Sequence, residues 1–226
     1  MMTDISRIEY LGIERVLKRG TGEIIADSDH ALLLRDCVSG GYFLACEDQA
    51  TGLGLLDRHI GSDCKLLMVS DYVLGLTAFE RYGFSEKIEC YQVAYYGEKP
   101  SIDTGLSVKT ADENDLPVLI HHYHMISPEE LAEVVRRKSI LMGYDQGHLV
   151  GFIGEHLEGS MGILYVLPKY RRRGFATALQ THLIIRTMEK GFVPFGQVEK
   201  DNQDSLRLQE KLGMTQSDEL IVWMWK

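Results

Sequence analysis

The sequence predicts an α/β protein built on a mixed sheet, and three observations support this fold class. Short apolar runs alternate with stretches whose apolar residues recur every three or four positions, which is the spacing of one helix face. Serine or aspartate precedes several of these helical stretches, as expected of N-caps. Glycine, proline and serine cluster near the middle, so the 226 residues divide into two halves.

The second half separates into elements most clearly. Asp112 and Ser127 are typical N-caps, Pro128 takes the first helical position, and Lys190-Gly191 is a typical helix end. The predicted order is a strand at Ser107–Thr110, helices at Asp112–His122 and Ser127–Lys138, strands at Ile140–Tyr144, His148–Leu157 and Gly162–Leu167, a helix at Phe175–Glu189, a strand at Phe195–Glu199, a helix at Gln203–Leu212 and a strand at Leu220–Trp225.

The first half repeats the later part of this order. The segment Phe79–Phe84 is similar, position by position, to Gln209–Met214. We therefore predict two tandem units, residues 1–100 and residues 101–226, joined through a linker at Tyr96–Gly105. The elements predicted in the first unit are a helix at Asp4–Lys18, strands at Ala31–Cys37 and Tyr42–Cys46, a helix at Asp48–His59, a strand at Leu66–Ser70, a helix at Tyr72–Arg81 and a strand at Cys90–Tyr96.

Composition narrows the function classes. A net charge of −9 argues against nucleic-acid binding and suits a cationic substrate. No apolar run approaches the ~18 residues that span a bilayer, and the first residues lack a signal-peptide pattern, so we expect a cytoplasmic protein without a membrane partner. The cysteines form no Cys-x-x-Cys pair, which predicts reduced thiols and no metal site; they are Cys37, Cys46, Cys64 and Cys90.

The segment from Leu164 to Leu179 carries the strongest functional signal. An apolar strand ends at Pro168, a basic loop follows, and the loop opens directly into a helix. The backbone N–H groups at a helix start have no intrahelical partner, and the helix dipole is positive there. The core of the loop, Arg171-Arg-Arg-Gly174-Phe-Ala176, adds fixed positive charge and a residue without Cβ. These features predict a diphosphate seat.

This loop resembles the acyl-CoA pyrophosphate loop of the GNAT N-acetyltransferase superfamily, whose pattern is Arg/Gln-x-x-Gly-x-Gly/Ala. Downstream, Asn202–Met214 resembles the second CoA-contacting segment of that family, Asn-x-x-Ala/Ser…Leu-Gly-Phe. The phrase Pro194–Val198 is similar to the glycine N-acyltransferase-like branch. The resemblance covers about residues 106–226, and the strand and helix order predicted there is also the GNAT order.

The resemblance implies acetyl-CoA as cosubstrate, no metal, and transfer of the acyl group to an amine. In relatives, the strand before the loop splays from its neighbour, and the N–H at the position of Val166 faces the thioester oxygen as an oxyanion-hole donor. The residues expected to hold acyl-CoA are Tyr165, Val166, Leu167, Arg171, Arg172, Arg173, Gly174, Phe175, Ala176, Thr177, Asn202 and Ser205. Among the arginine side chains, Arg171 and Arg173 are the favoured phosphate partners.

The sequence does not identify the residues that transfer protons as clearly as it identifies the residues that bind acyl-CoA. An attacking amine must lose a proton, and the candidate bases are Glu155 and Glu158, although both also suit ordinary turn or edge positions. Glycine N-acyltransferases have a glutamate near the position of Ser160. Gln209 stands where most relatives have the tyrosine that protonates the departing thiolate. The substitutes, which the sequence does not rank, are Tyr144, Tyr165, Tyr170 and solvent.

The first unit lacks an anion seat, because Glu47 and Asp48 stand where its basic loop would be. We expect it to complete the sheet or wall the acceptor site. The histidines at 121, 122 and 124 lie near the predicted acceptor region, but adjacent helix residues point to different faces, which argues against a shared metal.

The resulting hypothesis is an acyl-CoA N-acyltransferase that acts on a small amine or amino acid, with homodimerisation left open. Two alternatives remain at this point: a non-catalytic acyl-CoA sensor and a peptide acetyltransferase. The absent tyrosine favours the sensor, whereas an open groove beside the last strands would favour a peptide acceptor.

Overall fold

The computed structural model describes residues 5–102 and 105–226, and the chain divides into two compact units. The first unit contains the chain up to Ala94 together with Gln197–Ser205 and Gln216–Lys226. The second unit contains Tyr95–Gly196 and Leu206–Thr215. The C-terminal strand of the chain is therefore part of the first unit.

The first unit is a mixed sheet with helices on both faces. Its elements are α1 (Leu11–Lys18), β1 (Gly22–Asp27), β2 (Ala31–Asp36), β3 (Tyr42–Cys46), α2 (Gln49–His59), β4 (Leu66–Val69), α3 (Tyr72–Arg81), β5 (Glu86–Ala94) and most of β11 (Thr215–Trp225). The strand order is β1-β2-β3-β4-β11-β5. β3 and β4 run parallel, whereas β2 and β3, and also β4 and β11, run antiparallel.

Alternation along these strands divides the first unit's core between the two sheet faces. On one face, α2 and α3 cover Leu44, Val69 and Val222. On the other face, α1 covers Phe43 and Met68. Both faces of the central strands are buried, so these strands read as continuous apolar runs.

The second unit has the strand order β10-β9-β8-β7-β6. β6 to β9 are joined antiparallel, and β9 pairs with β10 in parallel, so this sheet is also mixed. Its elements are β6 (Ser107–Thr110), α4 (Leu116–His122), α5 (Pro128–Arg136), β7 (Ile140–Asp145), β8 (His148–Glu155), β9 (Met161–Val166), α6 (Phe175–Glu189), the start of β10 (Phe195–Glu199) and most of α7 (Gln203–Lys211).

Local sequence explains the helix starts of the second unit. Asp112 and Asp115 form a capping box around a short 3-10 turn that leads into α4. Ser127 accepts a hydrogen bond from the Glu130 N–H, and Pro128 follows as the first residue of α5. α4 and α5 then cover a core that includes Ile140, Phe152 and Ile163.

The predicted mixed α/β class is confirmed, and the differences lie at element ends and edges. β1 was not predicted: it is an edge strand, and none of its six residues is buried. β11 begins at Thr215, five residues before the predicted start, because its first half is polar. The predicted helix start at Asp4 lies outside the described residues, as do residues 103 and 104 of the predicted linker. No helix in the described ranges has both the length and the apolarity to span a membrane.

Candidate functional site

The loop after β9 leads to a helix start that no side chain caps. Pro168–Tyr170 form a 3-10 turn, and the backbone then takes positive φ at Arg172 (60°) and at Gly174 (85°) before α6 begins. Gly174 is the N-cap of α6 and makes no side-chain hydrogen bond to the first turn. Turns of this kind point successive N–H groups toward one place, where the helix dipole adds positive potential. The loop is therefore suited to bind an anion.

Gly174 is required by its backbone conformation rather than by crowding. A Cβ built at this position meets no atom within 4 Å, but its φ of +85° is one that L side chains rarely adopt. The space next to the Gly174 Cα is therefore open.

The three arginines of the loop differ in their contacts. The Nε–H of Arg171 donates to the Val166 carbonyl at 3.0 Å, so this side chain folds back onto β9. Arg173 lies 3.6 Å from the Asp145 carboxylate and 5.1 Å from the ring centre of Phe175. Arg172 has no ion pair or ring contact among the described residues and is exposed. Arg172 is thus the side chain that is most available to a phosphate.

β9 carries a bulge just before this loop. The register with β8 shifts between Phe152 and Gly154, and Ile163 has a positive φ of 48° although it is a buried, β-branched residue. Such a conformation is uncommon and costs energy, and it changes the direction of the strand. Within the described residues, β9 pairs with β10 at a single position, Met161 with Gly196. The remaining residues on that edge of β9 are therefore not paired with β10.

The direction of the Val166 N–H follows from the ladder on the other edge. The Leu167 N–H donates to the Val150 carbonyl at 2.9 Å, and Val166 lies opposite Gly151. In an antiparallel pair, residues alternate between bonding to the partner strand and pointing away from it. The N–H of Val166 therefore points away from β8, toward the edge that β10 leaves unpaired.

An aromatic stack lies beside Val166. The ring of Tyr165 stacks against the imidazole of His122 at 5.0 Å and against Phe152 at 5.6 Å, both with interplanar angles of 20°. The guanidinium of Arg171 lies 5.6 Å from the centre of the same ring. Residues of α4, β8, β9 and the loop thus meet at the end of β9.

A pocket of about 380 Å³ opens between α4 and α5. Tyr123 lines it, and this ring also packs edge-on against Phe152, which connects the pocket wall to the aromatic stack. Burial raises the pKa of the Tyr123 phenol to about 12. The lining is mainly apolar and consists of Ile120, Tyr123, His124, Met125, Ile126, Ser127, Pro128 and Leu131.

A comparison with protein families now bears on these features. Residues 108–214 match the acetyltransferase (GNAT) family. This segment, just under half of the chain, is similar to the GNAT family. The match includes β9, the loop and the start of α6, and the GNAT family normally uses acetyl-CoA as cosubstrate. A comparison with curated proteins gives no match.

The similarity to solved structures covers nearly the whole chain, and not only residues 108–214. A Drosophila protein has a TM-score of 0.68 at 15% identity over 98% of this chain and 91% of its own. A GNAT-family protein from Novosphingobium aromaticivorans has a TM-score of 0.61 at 18% identity over 97% and 96%. A GCN5-related N-acetyltransferase-like protein from Streptococcus suis has a TM-score of 0.58 at 18% identity over 94% and 93%. At these identities the likeness concerns the fold alone.

The two carboxylates predicted as bases, Glu155 and Glu158, have different surroundings in the second unit. Glu155 is buried, and its oxygens accept hydrogen bonds from the Thr187 hydroxyl and the Lys190 ammonium, both at 3.1 Å. These contacts tie the end of β8 to the end of α6. Glu158 is also buried and accepts a hydrogen bond from the Ser160 hydroxyl in the turn before β9.

Glu158 belongs to a group of ionisable side chains next to the pocket. Burial raises the pKa of the Glu130 carboxyl, His156 opposes this shift, and Glu158 adds to it. The Glu158 carboxylate also contributes to the raised pKa of the Tyr123 phenol, which lines the pocket. The pocket is thus apolar in its lining and negative near one wall.

Gln209 is buried in the second unit. It is buried against Gln180 of α6, and the two amides exchange hydrogen bonds in both directions. Gln180 also contacts the Met214 sulfur at 3.3 Å. The Gln209 amide is thus fully used inside the unit and has no proton to supply.

Asn202 and Ser205 lie in the first unit, at the start of α7. The amide oxygen of Asn202 accepts from the Ser205 N–H at 3.1 Å, which is the geometry of an N-cap. The same unit contains the four cysteines; three are buried with their thiol pKa raised by burial, and Cys37 is exposed. No group of three His, Cys, Asp or Glu in the described ranges has the arrangement of a metal site.

Sequence reasoning missed the contact between His122 and Tyr165. The two residues are 43 positions apart, and no spacing rule connects them. The one available signal was the run of histidines at the end of α4, which the sequence analysis placed near the acceptor region without a partner on β9. Glu130 stands at the start of α5 and interacts electrostatically with Glu158, a contact that no sequence pattern indicates.

Proposed function

We propose that the protein transfers an acetyl group from acetyl-CoA to a primary amine of a small molecule or amino acid. The observation that carries the proposal is the position of the Val166 N–H. It points to the unpaired edge of β9, one short loop away from the uncapped start of α6. An anion seat and an oxyanion donor at this separation match the two ends that an acyl-CoA presents.

The residues of the loop supply binding. The first-turn N–H groups at Phe175, Ala176 and Thr177 are the diphosphate donors, with Arg172 as the accessible side chain. Arg171 and Arg173 hold the loop against Val166 and Asp145 and keep a positive potential around the seat. The backbone of Tyr165, Val166 and Leu167 follows the pantetheine arm along the open edge of β9.

The chemistry is a direct attack. The amine nitrogen forms a bond to the thioester carbon while the Val166 N–H stabilises the charge that develops on the oxygen, a contribution of about 3 kcal/mol for one such donor. The carbon–sulfur bond then breaks, and its electron pair leaves with the sulfur of CoA. Because Gln209 is held by Gln180, solvent protonates the thiolate.

The acceptor enters through the pocket between α4 and α5. Its apolar lining suits the body of the amine, and Glu158 with Glu130 near one wall attracts its ammonium group. Glu155, whose oxygens are held by Thr187 and Lys190, is the less available of the two predicted carboxylates.

The division of labour between the units is part of the proposal. We assign acetyl-CoA binding and catalysis to residues 101–226, and we assign a degenerate GNAT-like role without a phosphate seat to residues 1–100. The phrase Pro194–Val198 supports kinship with the glycine N-acyltransferase-like branch. A second candidate, an acyl-CoA sensor without transfer activity, is favoured by Gln209 at the position of the usual tyrosine.

A glycine substitution tests the seat. Gly174→Glu places a strained, negatively charged residue at the start of α6, and we expect acetyl-CoA affinity to fall at least 100-fold in calorimetry. Gly191→Glu is the matched control, because Gly191 has a φ of +79° and open space but follows the other end of α6. Both variants should lose similar stability, and only the first should lose binding.

The outcomes separate the candidate functions. Unchanged affinity in Gly174→Glu contradicts the site. Normal binding by the wild type without acetylation of any amine in a mass-spectrometric panel supports the sensor. Acetylation of small amines that disappears in Gly174→Glu supports the transferase.

A further inference from the structure

The position of the reacting end of β9 narrows the choice of proton acceptor. The oxyanion donor is Val166, the last residue of β9, whereas Glu158 precedes the first residue of that strand. The five steps from Met161 to Val166 span roughly 16 Å at a strand rise of about 3.3 Å per residue. A carboxylate beyond the far end of β9 reaches an amine at Val166 only through a chain of waters.

His122 lies close to that end. Its imidazole stacks on the ring of Tyr165, the residue next to Val166, with 5.0 Å between ring centres. It is partly buried, so the ring is neither sequestered in the core nor free in solvent. The next residue, Tyr123, lines the pocket between α4 and α5. His122 is thus the chain neighbour of a pocket residue, and its ring contacts the residue that precedes Val166.

We infer that His122 is the proton acceptor for the attacking amine, either directly or through one water. The inference rests on the proposed acyl transfer. An acceptor that binds as an ammonium first loses one proton to solvent. As the neutral nitrogen then bonds to the thioester carbon, His122 takes a second proton and later passes it to solvent. Tyr165 is a positioning residue, since its ring stacks on the imidazole of His122 and fixes its plane. The ring of Phe152 stacks in turn on the ring of Tyr165.

The surroundings of His122 suit this role. The titratable and charged groups that face it are His121 and His124 on its own segment, the phenol of Tyr165 on β9, and Arg171 over the same phenol ring. Partial burial, together with His121 and His124, lowers the pKa of His122 below its ordinary value of 6.5. The ring is therefore neutral at pH 7 and able to accept a proton.

The first readout is the pH dependence of turnover. In the wild type, kcat/KM should rise with pH through the lowered pKa of His122, because the neutral imidazole is the active form, and it should rise again at higher pH where the acceptor amine loses its own proton. His122→Gln should lose the lower limb and fall about 100-fold or more at neutral pH, as expected for loss of a general base. Acetyl-CoA affinity should be unchanged. Added imidazole should restore part of the activity of His122→Ala.

Matched variants separate chemistry from structure. His121→Gln alters the exposed neighbour whose ring lies 4.6 Å from His122, and it should keep turnover within a few-fold of wild type. Glu158→Gln should raise KM for a cationic amine more than it lowers kcat. If Glu158→Gln removes the pH limb and His122→Gln does not, the assignment is overturned in favour of the carboxylate.

A second readout does not require turnover. The NMR signal of the His122 imidazole should differ between the complexes with CoA and with acetyl-CoA, since the acetyl group is the only difference and lies beside the ring. The His121 signal should change less. If no amine is acetylated by the wild type, the proposed function fails, while this measurement still decides the location of His122. Identical His122 signals in the two complexes contradict the inference.

Discussion

Each unit contains a strand that leads through a loop into a helix, and the two helix starts are built in opposite ways. In the first unit, two residues, Glu47 and Asp48, connect β3 to α2, and the Asp48 carboxylate accepts from the Thr51 N–H at 2.7 Å. In the second unit, eight residues connect β9 to α6, and the N-cap is Gly174, which offers no acceptor. One helix start is thus satisfied internally by an anion of the protein, and the other is left to an external anion.

The difference shows how one architecture serves two purposes. A carboxylate cap stabilises a helix by about 1 kcal/mol and at the same time excludes a phosphate. A glycine cap gives up that stabilisation and keeps the N–H groups available. The positive φ values at Arg172 and Gly174 and the bulge at Ile163 are further local costs in the second unit. The proposed acetyl-CoA seat therefore lies where the local rules for stability are broken.

The largest expected effect tests whether the second unit is independent of the first. A fragment that starts at Ser101 lacks β4, with which β11 pairs from Val222 to Trp225. Ile221, Val222 and Met224 are fully buried, and exposure costs about 1.5–3 kcal/mol for each such side chain. Because domains are stable by only about 5–15 kcal/mol, we expect the fragment to be insoluble or unfolded by circular dichroism.

Co-expression provides the control for this deletion. Residues 1–100 supplied as a separate chain should restore a soluble complex, because they return β4 to β11. A fragment from Ser101 that melts cooperatively on its own would show that β11 folds without residues 1–100.

A smaller effect is expected at Gln209, the position where the GNAT resemblance predicts a tyrosine. Gln209→Ala should leave turnover within about tenfold, roughly 1.4 kcal/mol of barrier. It should nevertheless lower the free energy of unfolding by about 1–3 kcal/mol, because the buried amide of Gln180 loses its partner. Gln180→Ala is the matched variant and should show the same pair of effects in chemical denaturation and in turnover assays. A 100-fold loss of turnover at normal stability would instead make Gln209 catalytic.

The local features of this comparison could be predicted from the sequence. The basic loop, the strand before it and the helix after it follow from short patterns, and so do the caps at Asp112 and Ser127. The two carboxylates at the start of α2 were also correctly placed, because the identity of a cap is a local property.

The long-range features could not be predicted. Nothing in the apolar run Leu220–Trp225 indicates that it pairs with β4 of the first unit, since any strand with two buried faces presents the same pattern. The contact between His122 and Tyr165 depends on how α4 packs over β9. The polar first half of β11 and the exposed β1 are strands only because a neighbouring strand accepts their hydrogen bonds.

The smallest expected effect concerns the helix start of the first unit. Asp48→Ala removes the cap of α2 and should lower the free energy of unfolding slightly, whereas Asp48→Asn should keep most of the cap's contribution. Hydrogen bonds from Thr51 lower the pKa of the Asp48 carboxyl, so the advantage of wild type over Asp48→Ala is present at neutral pH and should narrow as the pH falls through that lowered pKa. Calorimetry should still find one acetyl-CoA per chain in Asp48→Ala, because neither Glu47 nor Asp48, which connect β3 to α2, has a positive φ that would turn the N–H groups of α2 toward a common point. A second binding event in this variant would show that the cap alone separates the two helix starts.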